Sequence, residues 1–376
     1  MAKKIQPKHR SPNGEMAREI SGEYEARDYL SAVEAAQILS VSVRDLHRIA
    51  RSGRLPVQVS PSGQMRFRLT DLLDARKKIP LRRTAKAAGQ SLLAGGSWSH
   101  GDLQVLCRDA RDLSILQSES IHIALTSPPY FNIKLYAEKP TRGDLGNIHN
   151  IEDWFSEIGK VWSECLRVLQ PGRRLFINIM NLPVREQHGY RTLNLVGKTV
   201  DLCERLGFIF KRDVIWHKTN GVRAHFGTYP DPGGILINCM HEYILEFEKP
   251  APRGLKKYAH VTREQREASK LDKGFWLLLK NTDVWRMNPV GSGDQRPHAA
   301  PFPIELPYRL IKAFSFVGET VLDPFVGSGT TLVACQRLYR KGIGVEINPD
   351  LASIAVESVQ AETARGGELL FAEKEH

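Results

Sequence analysis

Near its carboxyl end the sequence reads Thr320-Val321-Leu322-Asp323-Pro324-Phe325-Val326-Gly327-Ser328-Gly329-Thr330-Thr331, and this stretch decides the fold. Its first three residues have the composition of a strand buried on both faces, and its last two open a run typical of a helix. The glycines between them let the backbone turn sharply and approach a ligand closely. A strand, a glycine loop and a helix in this order are typical of open α/β sheets, where ligands bind at the carboxyl ends of strands.

A second apolar stretch ends in a similar way about two hundred residues earlier. Ile121-His122-Ile123-Ala124-Leu125-Thr126 predicts another central strand, and Ser127-Pro128-Pro129-Tyr130 follows it directly. Because both loops follow buried strands, we expect them to face one crevice. The sequence therefore predicts an α/β fold with a doubly wound, mostly parallel sheet.

Length and composition set the broad class. The 376 residues, 41% of them hydrophobic, are enough for one large and one small domain. No apolar run approaches the eighteen or so residues that span a bilayer, and the basic start of the chain is not followed by an apolar stretch, which argues against secretion. We therefore expect a cytoplasmic, nucleoid-associated protein with reduced thiols, because its five cysteines show no paired spacing: Cys107, Cys165, Cys203, Cys239 and Cys335.

The net charge of +11 is distributed unevenly along the chain. Residues 1–100 hold 18 Lys and Arg against 9 Asp and Glu, a balance of +9, whereas the remainder holds 35 against 33, a balance of +2. A basic module joined to a nearly neutral body suggests a polyanion-binding domain attached to a catalytic one. A basic surface that only improves solubility is the competing interpretation.

The basic module carries its own motif. Residues 31–39 and 43–50 have the pattern of two short helices separated by a turn, the second ended by Gly53, and the apolar stretches around Leu55 and Phe67 predict a hairpin. The pattern resembles the winged helix-turn-helix of excisionases and MerR-type regulators. That resemblance implies a reading helix in the DNA major groove and a wing on the backbone, with DNA contacts from Arg44, Arg48, Arg51, Arg66 and Arg68. Solvated charges beside a helix end remain the alternative for individual arginines.

The larger body resembles the β-type, circularly permuted DNA methyltransferases that modify amino groups, in which the base-holding half precedes the cofactor-binding half. The resemblance covers some 250 residues and recurs at separate places, although Arg108 replaces the family's glycine. It implies a Rossmann-like methyltransferase fold. The matching segments are 106–111, 162–172, 213–218, 241–245 and 298–303.

We therefore expect five regions along the chain. They are a disordered basic tail at 1–27, a winged helix-turn-helix domain at 28–79, a linker at 80–100, a methyltransferase domain at 101–365 and a tail at 366–376.

The chemistry of such enzymes explains the base-holding loop. An exocyclic amino nitrogen is a poor nucleophile, because its lone pair is delocalised into the ring. Acceptors on its two hydrogens, here Ser127 Oγ and the Pro128 carbonyl fixed by Pro129, free that lone pair, and Tyr130 offers a flat face for stacking. The base must be flipped out of the duplex, and no covalent enzyme intermediate is needed. A merely stiff turn is the alternative interpretation of the tetrapeptide.

The resemblance also implies S-adenosylmethionine as the cofactor. Gly327-Ser328-Gly329 lacks the lysine of a phosphate-binding loop and the third glycine of a dinucleotide fingerprint. Asp323 would hold the cofactor's amino group, Glu346 the ribose hydroxyls and Asp109 the adenine. The full predicted cofactor set is Asp109, Ala110, Phe302, Asp323, Phe325, Gly327, Ser328, Gly329, Thr330, Thr331 and Glu346.

Ser127 also bears on which base is modified. Relatives that methylate cytosine at N4 mostly carry serine at this position, often after threonine as in Thr126-Ser127, whereas those that methylate adenine at N6 mostly carry Asp or Asn. The sequence thus favours cytosine N4, with adenine N6 as the alternative. Methylation at cytosine C5 needs a cysteine after proline, and this sequence contains no such pair.

The expected partner is double-stranded DNA, and a restriction endonuclease partner and a homodimer are both compatible with this class. Residues 250–296 are the expected target-recognition region, with Lys256 and Lys257 as DNA contacts. The loop at 220–234 is expected to close over flipped DNA. No metal is expected, because the histidines lack ligand spacing: His217, His225, His241, His260 and His298.

Two rival functions remain at this point. An enzyme that methylates RNA or a protein glutamine would usually place the cofactor motif first and carry Asn before Pro-Pro-Tyr. A DNA-binding regulator with a degenerate methyltransferase body would have lost site residues, whereas here the Arg108 position alone departs from the pattern.

Overall fold

A computed structural model describes residues 29–32, 35, 43–53, 55–60, 65–68, 71–72, 95–131, 141–186, 189–219, 233, 237, 239–290 and 302–364. The chain divides into two compact units, Met1–Ala88 and Gly89–His376, and each is described by itself. Several predictions lie outside the described residues. They concern both tails, most of the linker 80–100 and of the loop 220–234, residues 291–296, His225, His298 and the side chain of Arg44.

The first unit contains a small antiparallel sheet and a helix. The strands β1 (Tyr29–Ser31), β3 (Met65–Arg68) and β2 (Gln58–Val59) pair in that order, and α1 spans Val43–Arg51. The helix predicted over 43–50 and the hairpin after it are confirmed, whereas the three-residue β1 was not predicted. The elements enclose one apolar cluster, formed by Ala35, Leu46, Ala50, Leu55, Phe67 and Leu72.

The second unit is built on a nine-stranded mixed sheet, which confirms the predicted fold class. Its strand order is β12-β10-β11-β7-β6-β13-β14-β5-β4, and a separate hairpin pairs β8 with β9. The strands are β4 (Ser97–His100), β5 (Leu103–Leu106), β6 (Ile121–Thr126), β7 (Leu169–Ile179), β8 (Leu182–Glu186), β9 (Gly189–Leu193), β10 (Ile209–Lys218), β11 (His241–Glu248), β12 (Val284–Met287), β13 (Thr320–Asp323) and β14 (Lys341–Val345).

The end of the predicted linker belongs to this sheet. β4 pairs antiparallel with β5, and Trp98 packs against the core, so the linker is shorter than the 80–100 expected. The glycines at 95 and 96 had suggested flexible chain. Instead, Gly95 N–H donates to Cys107 O and Cys107 N–H to Gly96 O, which extends the pairing.

Helices cover both faces of the sheet. They are α2 (Ile151–Val168), α3 (Leu195–Leu206), α4 (Arg263–Ala268), α5 (Lys273–Asn281), α6 (Glu305–Phe314), α7 (Thr330–Arg337) and α8 (Pro349–Ala364), with a 3₁₀ turn at Leu145–Asn147. Two apolar clusters result, one containing residues of α2 and α3 and the other residues of α6, α7 and α8. Ala124 of β6 packs in the first, and Ile123 and Leu125 in the second, so this strand is buried on both faces as predicted. No helix in the described part of the chain is long and apolar enough to cross a membrane.

The topology fixes where a ligand can bind. β6 and β13 are parallel neighbours, yet the chain leaves β6 toward β7 on one side and leaves β13 toward β14 on the other. This is a topological switch point, and the carboxyl ends of the strands around it open into a crevice. We call the edge that holds Thr126, Ile179, Asp323 and Val345 the carboxyl edge, and the opposite one the amino edge.

Gly329 shows how closely α7 and α8 pack. It precedes α7 with φ +87°, and a Cβ there would lie 2.9 Å from Ala355 Cα in α8. Gly254 has nearly the same φ, +85°, with nothing within 4 Å of its Cβ position. Substitution of Gly254 therefore tests the effect of backbone strain alone, whereas substitution of Gly329 tests strain together with steric overlap.

We expect Gly329→Ala to reduce the free energy of unfolding by at least ~1 kcal/mol more than Gly254→Ala does. Both substitutions force alanine into the left-handed region, but only the first also overlaps backbone atoms of another helix. Urea denaturation followed by circular dichroism measures the difference. Equal losses in the two variants would contradict the steric account.

Candidate active site

A solvent-open cavity of about 860 Å³ lies at the switch point. Four loops that follow β5, β6, β13 and β14 form most of its wall, together with the segment around the 3₁₀ turn. Its lining residues are Arg108, Asp109, Ala110, Ser127, Pro128, Pro129, Tyr130, Gly143, Asp144, Leu145, Phe302, Pro324, Phe325, Val326, Gly327, Ser328, Thr330, Glu346, Ile347 and Leu351.

The structure brings together most of the residues that the sequence singled out. All four members of the base-holding loop and eight of the eleven predicted cofactor residues line the one cavity. The exceptions are Asp323, Gly329 and Thr331, which lie behind the loop. The direct cofactor contacts expected of these three stay predictions, and the structure shows that Asp323 and Thr331 are bonded to each other beside the residues that line the cavity.

Asp323 is the centre of that support. Its carboxylate is only 1% exposed and accepts hydrogen bonds from Thr126 Oγ1 (2.7 Å), Phe325 N (3.0 Å) and Thr331 Oγ1 (2.5 Å). Burial raises its pKa to about 6, although these hydrogen bonds oppose the rise. Asp323 thus ties β6 to β13 and fixes the start of the glycine loop.

Glu346 holds the other side of the glycine loop. It follows β14, and its carboxylate accepts from Gly327 N (3.1 Å) and Asn348 N (3.0 Å). Burial raises its pKa to about 7, and the nearby carboxylates of Asp144 and Asp323 add to the rise. The cavity wall therefore contains a carboxyl group that holds its proton to a higher pH than an exposed glutamate does.

Asp144 is a lining residue that sequence reasoning missed. It caps the 3₁₀ turn by accepting from Gly146 N (2.8 Å), and burial raises its pKa. An Asp before a short turn is common in loops, so its sequence carried no signal of a site. Asp144 and Glu346 thus place two carboxyl groups near each other in the cavity wall. Neither forms a salt bridge with a cation of the described residues.

Asp109, by contrast, is paired. Arg111 donates from Nε to Asp109 Oδ1 (3.0 Å) and from Nη2 to Oδ2 (2.5 Å), and its other amino group reaches Glu157. Arg108, at the family's glycine position, is exposed and does not have a positive φ. The replacement of glycine therefore introduces no backbone strain, and Asp109 keeps its place in the wall.

The cavity favours a ligand of mixed character. Acidic groups at Glu346 and Asp144 favour positive charge and hydroxyl donors, whereas Phe302, Phe325 and Leu145 offer apolar surface to flat rings. Such a wall suits a cationic nucleoside better than a phosphate ester.

Tyr130 is tied to a strand that lies outside the cavity wall. Its ring is buried, 8% exposed, and its hydroxyl donates to Glu242 Oε2 at 2.8 Å. Glu242 lies in β11, more than one hundred residues further along the chain. This contact was not predicted, because only the sheet order brings the two residues together.

Three other groups lie close together at the amino edge. Ligand atoms of His122, His260 and Glu319 come within 4.8 Å of one another, which their sequence spacing could not reveal. Arg173 donates to both Glu319 and His260, and Thr320 N–H donates to His122 Nδ1 at 3.1 Å. Burial lowers the pKa of His122 to about 4. Because an arginine cation already binds the carboxylate, we interpret this group as a hydrogen-bonded cluster that extends from the buried Glu319 to the exposed His260.

The structure places Lys256 and Lys257 away from the cavity. Lys257 Nζ pairs with Glu248 Oε2 at 3.0 Å, and its side chain packs against Gly172 near the start of β7. That level of the sheet is five residues, roughly 17 Å, from the strand pair that ends beside Ser127. Lys257 is therefore engaged with a carboxylate of the protein, whereas Lys256 is exposed, and the predicted DNA contacts of both lysines stay predictions.

The rest of the expected recognition region follows a different course. α4 and α5 lie beside α6 and its following loop, where Lys312 Nζ pairs with Asp272 at 2.9 Å and Gln265 donates to Val317 O. β12 then runs parallel to β10 and returns the chain to the carboxyl edge at Met287. Within the described residues, the end of this region thus reaches the same edge of the sheet as the cavity.

Comparison with known proteins assigns the family. Residues 121–357 match the family model described as DNA methylase, and residues 29–78 match a helix-turn-helix domain. The chain therefore belongs to the DNA methylase family. The Type II methyltransferase M.MjaI of Methanocaldococcus jannaschii is 31% identical over 297 residues, which cover 70% of this chain and 93% of that protein.

Solved structures agree with this assignment. A DNA modification methylase from Thermus thermophilus, solved in complex with S-adenosyl-L-methionine, is 35% identical with a TM-score of 0.53 and covers 68% of this chain and 93% of its own. PvuII DNA methyltransferase (cytosine-N4-specific) has a TM-score of 0.51, covering 72% of this chain and 95% of its own. Its identity is 20%, so this likeness shows the fold alone.

The raised pKa values of Glu346 and Asp323 predict a pH dependence of stability. In the folded protein these groups keep protons, up to about pH 7 and about pH 6, that the unfolded chain has already lost. Their stabilising contribution is therefore complete below their unfolded pKa values and is lost as the pH rises through 6 and 7. The free energy of unfolding of the ligand-free protein should therefore fall as the pH rises from the unfolded pKa values of these groups to about 7.

We expect Glu346→Gln to flatten this decline by at least ~1 kcal/mol, since glutamine is neutral throughout. Urea denaturation at a series of pH values between 5 and 8 measures the slope. Asp350→Asn, at an exposed position in the first turn of α8, is the control and should keep the wild-type slope. Parallel slopes for wild type and Glu346→Gln would show that Glu346 does not titrate in this range.

Proposed function

We propose that this chain transfers a methyl group from S-adenosylmethionine to the N4 amino group of a flipped cytosine in double-stranded DNA. One observation carries the proposal. The loop Ser127-Pro128-Pro129-Tyr130 and the loop Gly327-Ser328-Gly329 reach the same cavity from adjacent parallel strands. In this assignment the base-holding half precedes the cofactor half in the chain.

The residues present fit the cofactor. S-adenosylmethionine supplies an electrophilic methyl group on a positively charged sulfur. In this cavity Glu346 would accept hydrogen bonds from ribose hydroxyls, Asp109 would lie at the adenine, and Phe302 and Phe325 would pack against its rings. The carboxylates of Asp144 and Asp323 both raise the pKa of Glu346, so a positively charged ligand would be favoured beside it. The Thermus relative, which was solved with this cofactor, supports the same choice.

The base-holding loop supplies the acceptors that activate the amino group. Ser127 Oγ and the Pro128 carbonyl would each accept one hydrogen of the target amine, which leaves the nitrogen lone pair free to attack. Pro128 is buried and Ser127 partly exposed in the cavity wall. Tyr130 would stack on the flipped base, whose extraction costs a few kcal/mol.

The choice of cytosine rests on Thr126-Ser127, as it does in the resembling N4-methylating enzymes. Thr126 Oγ1 is committed to Asp323 at 2.7 Å, so Ser127 carries the hydroxyl of the pair that lines the cavity. Membership of the DNA methylase family weighs against RNA and protein substrates. A degenerate regulator is disfavoured because the base-holding loop and the glycine loop keep the residues that this chemistry needs.

Sequencing of modified DNA from cells tests the proposal. DNA from a methylation-deficient host that expresses the wild-type chain should contain N4-methylcytosine in one short sequence context, and the same method would report N6-methyladenine if adenine were the target. The chain with Ser127→Ala should leave no modification above background, because one acceptor of the target amine is removed.

Controls separate chemistry from folding and binding. Ser118→Ala, in a polar turn outside the cavity, should retain full modification. Ser127→Ala should still shift DNA in a mobility assay. Full methylation by Ser127→Ala would refute the assignment of the loop.

The first unit is proposed to bind DNA through its helix and wing. Arg48 and Arg51 belong to the last turn of α1, and Arg66 and Arg68 are exposed on β3 on either side of the buried Phe67. A helix and an adjacent hairpin of this kind suit the major groove and the neighbouring backbone. Arg44 belongs to the same helix and is kept in the proposal.

We expect Arg51→Ala combined with Arg66→Ala to weaken DNA binding and to leave kcat at saturating DNA within about twofold of wild type. The slope of log K against log salt concentration should become shallower by about 0.9 for each of the two arginines that contacts a phosphate. Fluorescence anisotropy at several salt concentrations gives that slope. An unchanged slope would mean that the two arginines are only solvated charges.

A further inference from the structure

Four polar side chains from four adjacent strands meet beside the base-holding loop. The strands lie in the order β10-β11-β7-β6. Lys218 ends β10, Glu242 is near the start of β11, Asn178 is near the end of β7, and Tyr130 lies just after β6. Because β11 is antiparallel to its neighbours, its first residues lie at the same carboxyl edge as the ends of the others.

Glu242 is the hub of this group. Oε2 accepts from the Tyr130 hydroxyl (2.8 Å) and from Asn178 Nδ2 (2.6 Å), and Oε1 pairs with Lys218 Nζ (2.5 Å). The Glu242 side chain is 9% exposed and that of Lys218 17%. A carboxylate this buried is stable in its ionised form only when such partners compensate it.

The hydroxyl bond restrains the tyrosine at its far end. The Tyr130 side chain has two rotatable bonds, and its backbone and packing act mainly on the near end of the ring. A hydrogen bond to an ionised acceptor is stronger than a neutral one, so it restricts both rotations. It also shifts electron density toward the phenol oxygen and the ring, which strengthens attraction for positive charge above the ring face.

We propose that Glu242 is a positioning residue, which acts through Tyr130 to hold the ring against the flipped base; this role rests on the function proposed above. As the nitrogen–carbon bond forms and the sulfur–carbon bond breaks, the amino nitrogen becomes cationic until it releases a proton to solvent. The base then carries positive charge over an oriented, electron-rich ring. The benefit is greatest in the transition state, so it appears in kcat.

If the Glu242 carboxylate only stabilised the fold, a similarly buried and paired glutamate of the same strand should matter equally for activity. Glu248 also lies in β11, its side chain is 12% exposed where that of Glu242 is 9%, and it pairs with two cations, Arg174 and Lys257. It lies at the amino edge. The two glutamates are thus matched in strand and burial, and they differ in whether they bind the base-holding tyrosine.

The test is a double-mutant cycle on the full-length chain. Transfer of a labelled methyl group from S-adenosylmethionine to unmethylated plasmid DNA gives kcat and both KM values for Tyr130→Phe, Glu242→Gln, the double variant and Glu248→Gln. We expect each of the first two substitutions to lower kcat roughly ten- to a hundredfold, the range of a hydrogen bond to a charged group. Both KM values and the kcat of Glu248→Gln should stay within about twofold of wild type. The double variant should be no slower than the slower single variant.

Two results would overturn the positioning role. One is a reduction of kcat in the double variant that equals the product of the two single-variant reductions. The other is an equal loss of kcat in Glu242→Gln and Glu248→Gln. Tyr130→Phe leaves every charge in place, so an unchanged kcat in this variant alone also overturns the inference, even where Glu242→Gln fails to fold. Failure of the proposed function is distinguishable, because the wild-type chain itself would then transfer no methyl group to DNA, or would transfer it to a position other than cytosine N4, whereas the cycle compares each variant with the wild-type rate.

Discussion

The site depends on one buried carboxylate. Asp323 joins β13 to β6 through Thr126 Oγ1 at 2.7 Å and to α7 through Thr331 Oγ1 at 2.5 Å. These contacts connect elements on the two sides of the topological switch point. They add a side-chain connection to the backbone pairing of β6 with β13, and they give the base-holding loop and the glycine loop a shared fixed point beside the cavity. The price of this arrangement is a buried acid, whose pKa of about 6 records its desolvation.

The sequence predicted the elements whose signal is local. β6 and β13 are buried apolar stretches followed by loops that need prolines or glycines, and both strands and the sheet class are as expected. The helix α1 and the hairpin of β2 and β3 were predicted for the same reason. Failures came where local composition is ambiguous, as at β4, whose neighbouring glycines resembled a linker, and at β1, which is three residues long.

Other parts of the site could not be predicted because they depend on the sheet order. Glu242 is far from Tyr130 in sequence, and only the antiparallel insertion of β11 brings its carboxylate to the tyrosine. Similarly, Lys257 is one of several lysines and arginines in a basic segment, yet its partner Glu248 places it at the amino edge. A basic composition suggests that a segment contacts negatively charged groups. It does not indicate whether those groups are DNA phosphates or carboxylates of a neighbouring strand.

The two halves of the site differ in how their charges are balanced. On the base side, Glu242 is compensated by Lys218 and two neutral donors within the protein, so Tyr130 is oriented before any ligand arrives. On the cofactor side, Glu346 and Asp144 face each other's charge, and burial keeps the pKa of Glu346 near 7. A cation bound there completes the balance, because it favours the ionised form of both acids. The proposed base pocket is therefore preorganised by the protein, whereas the proposed cofactor pocket reaches its most stable charge state only together with a positively charged ligand.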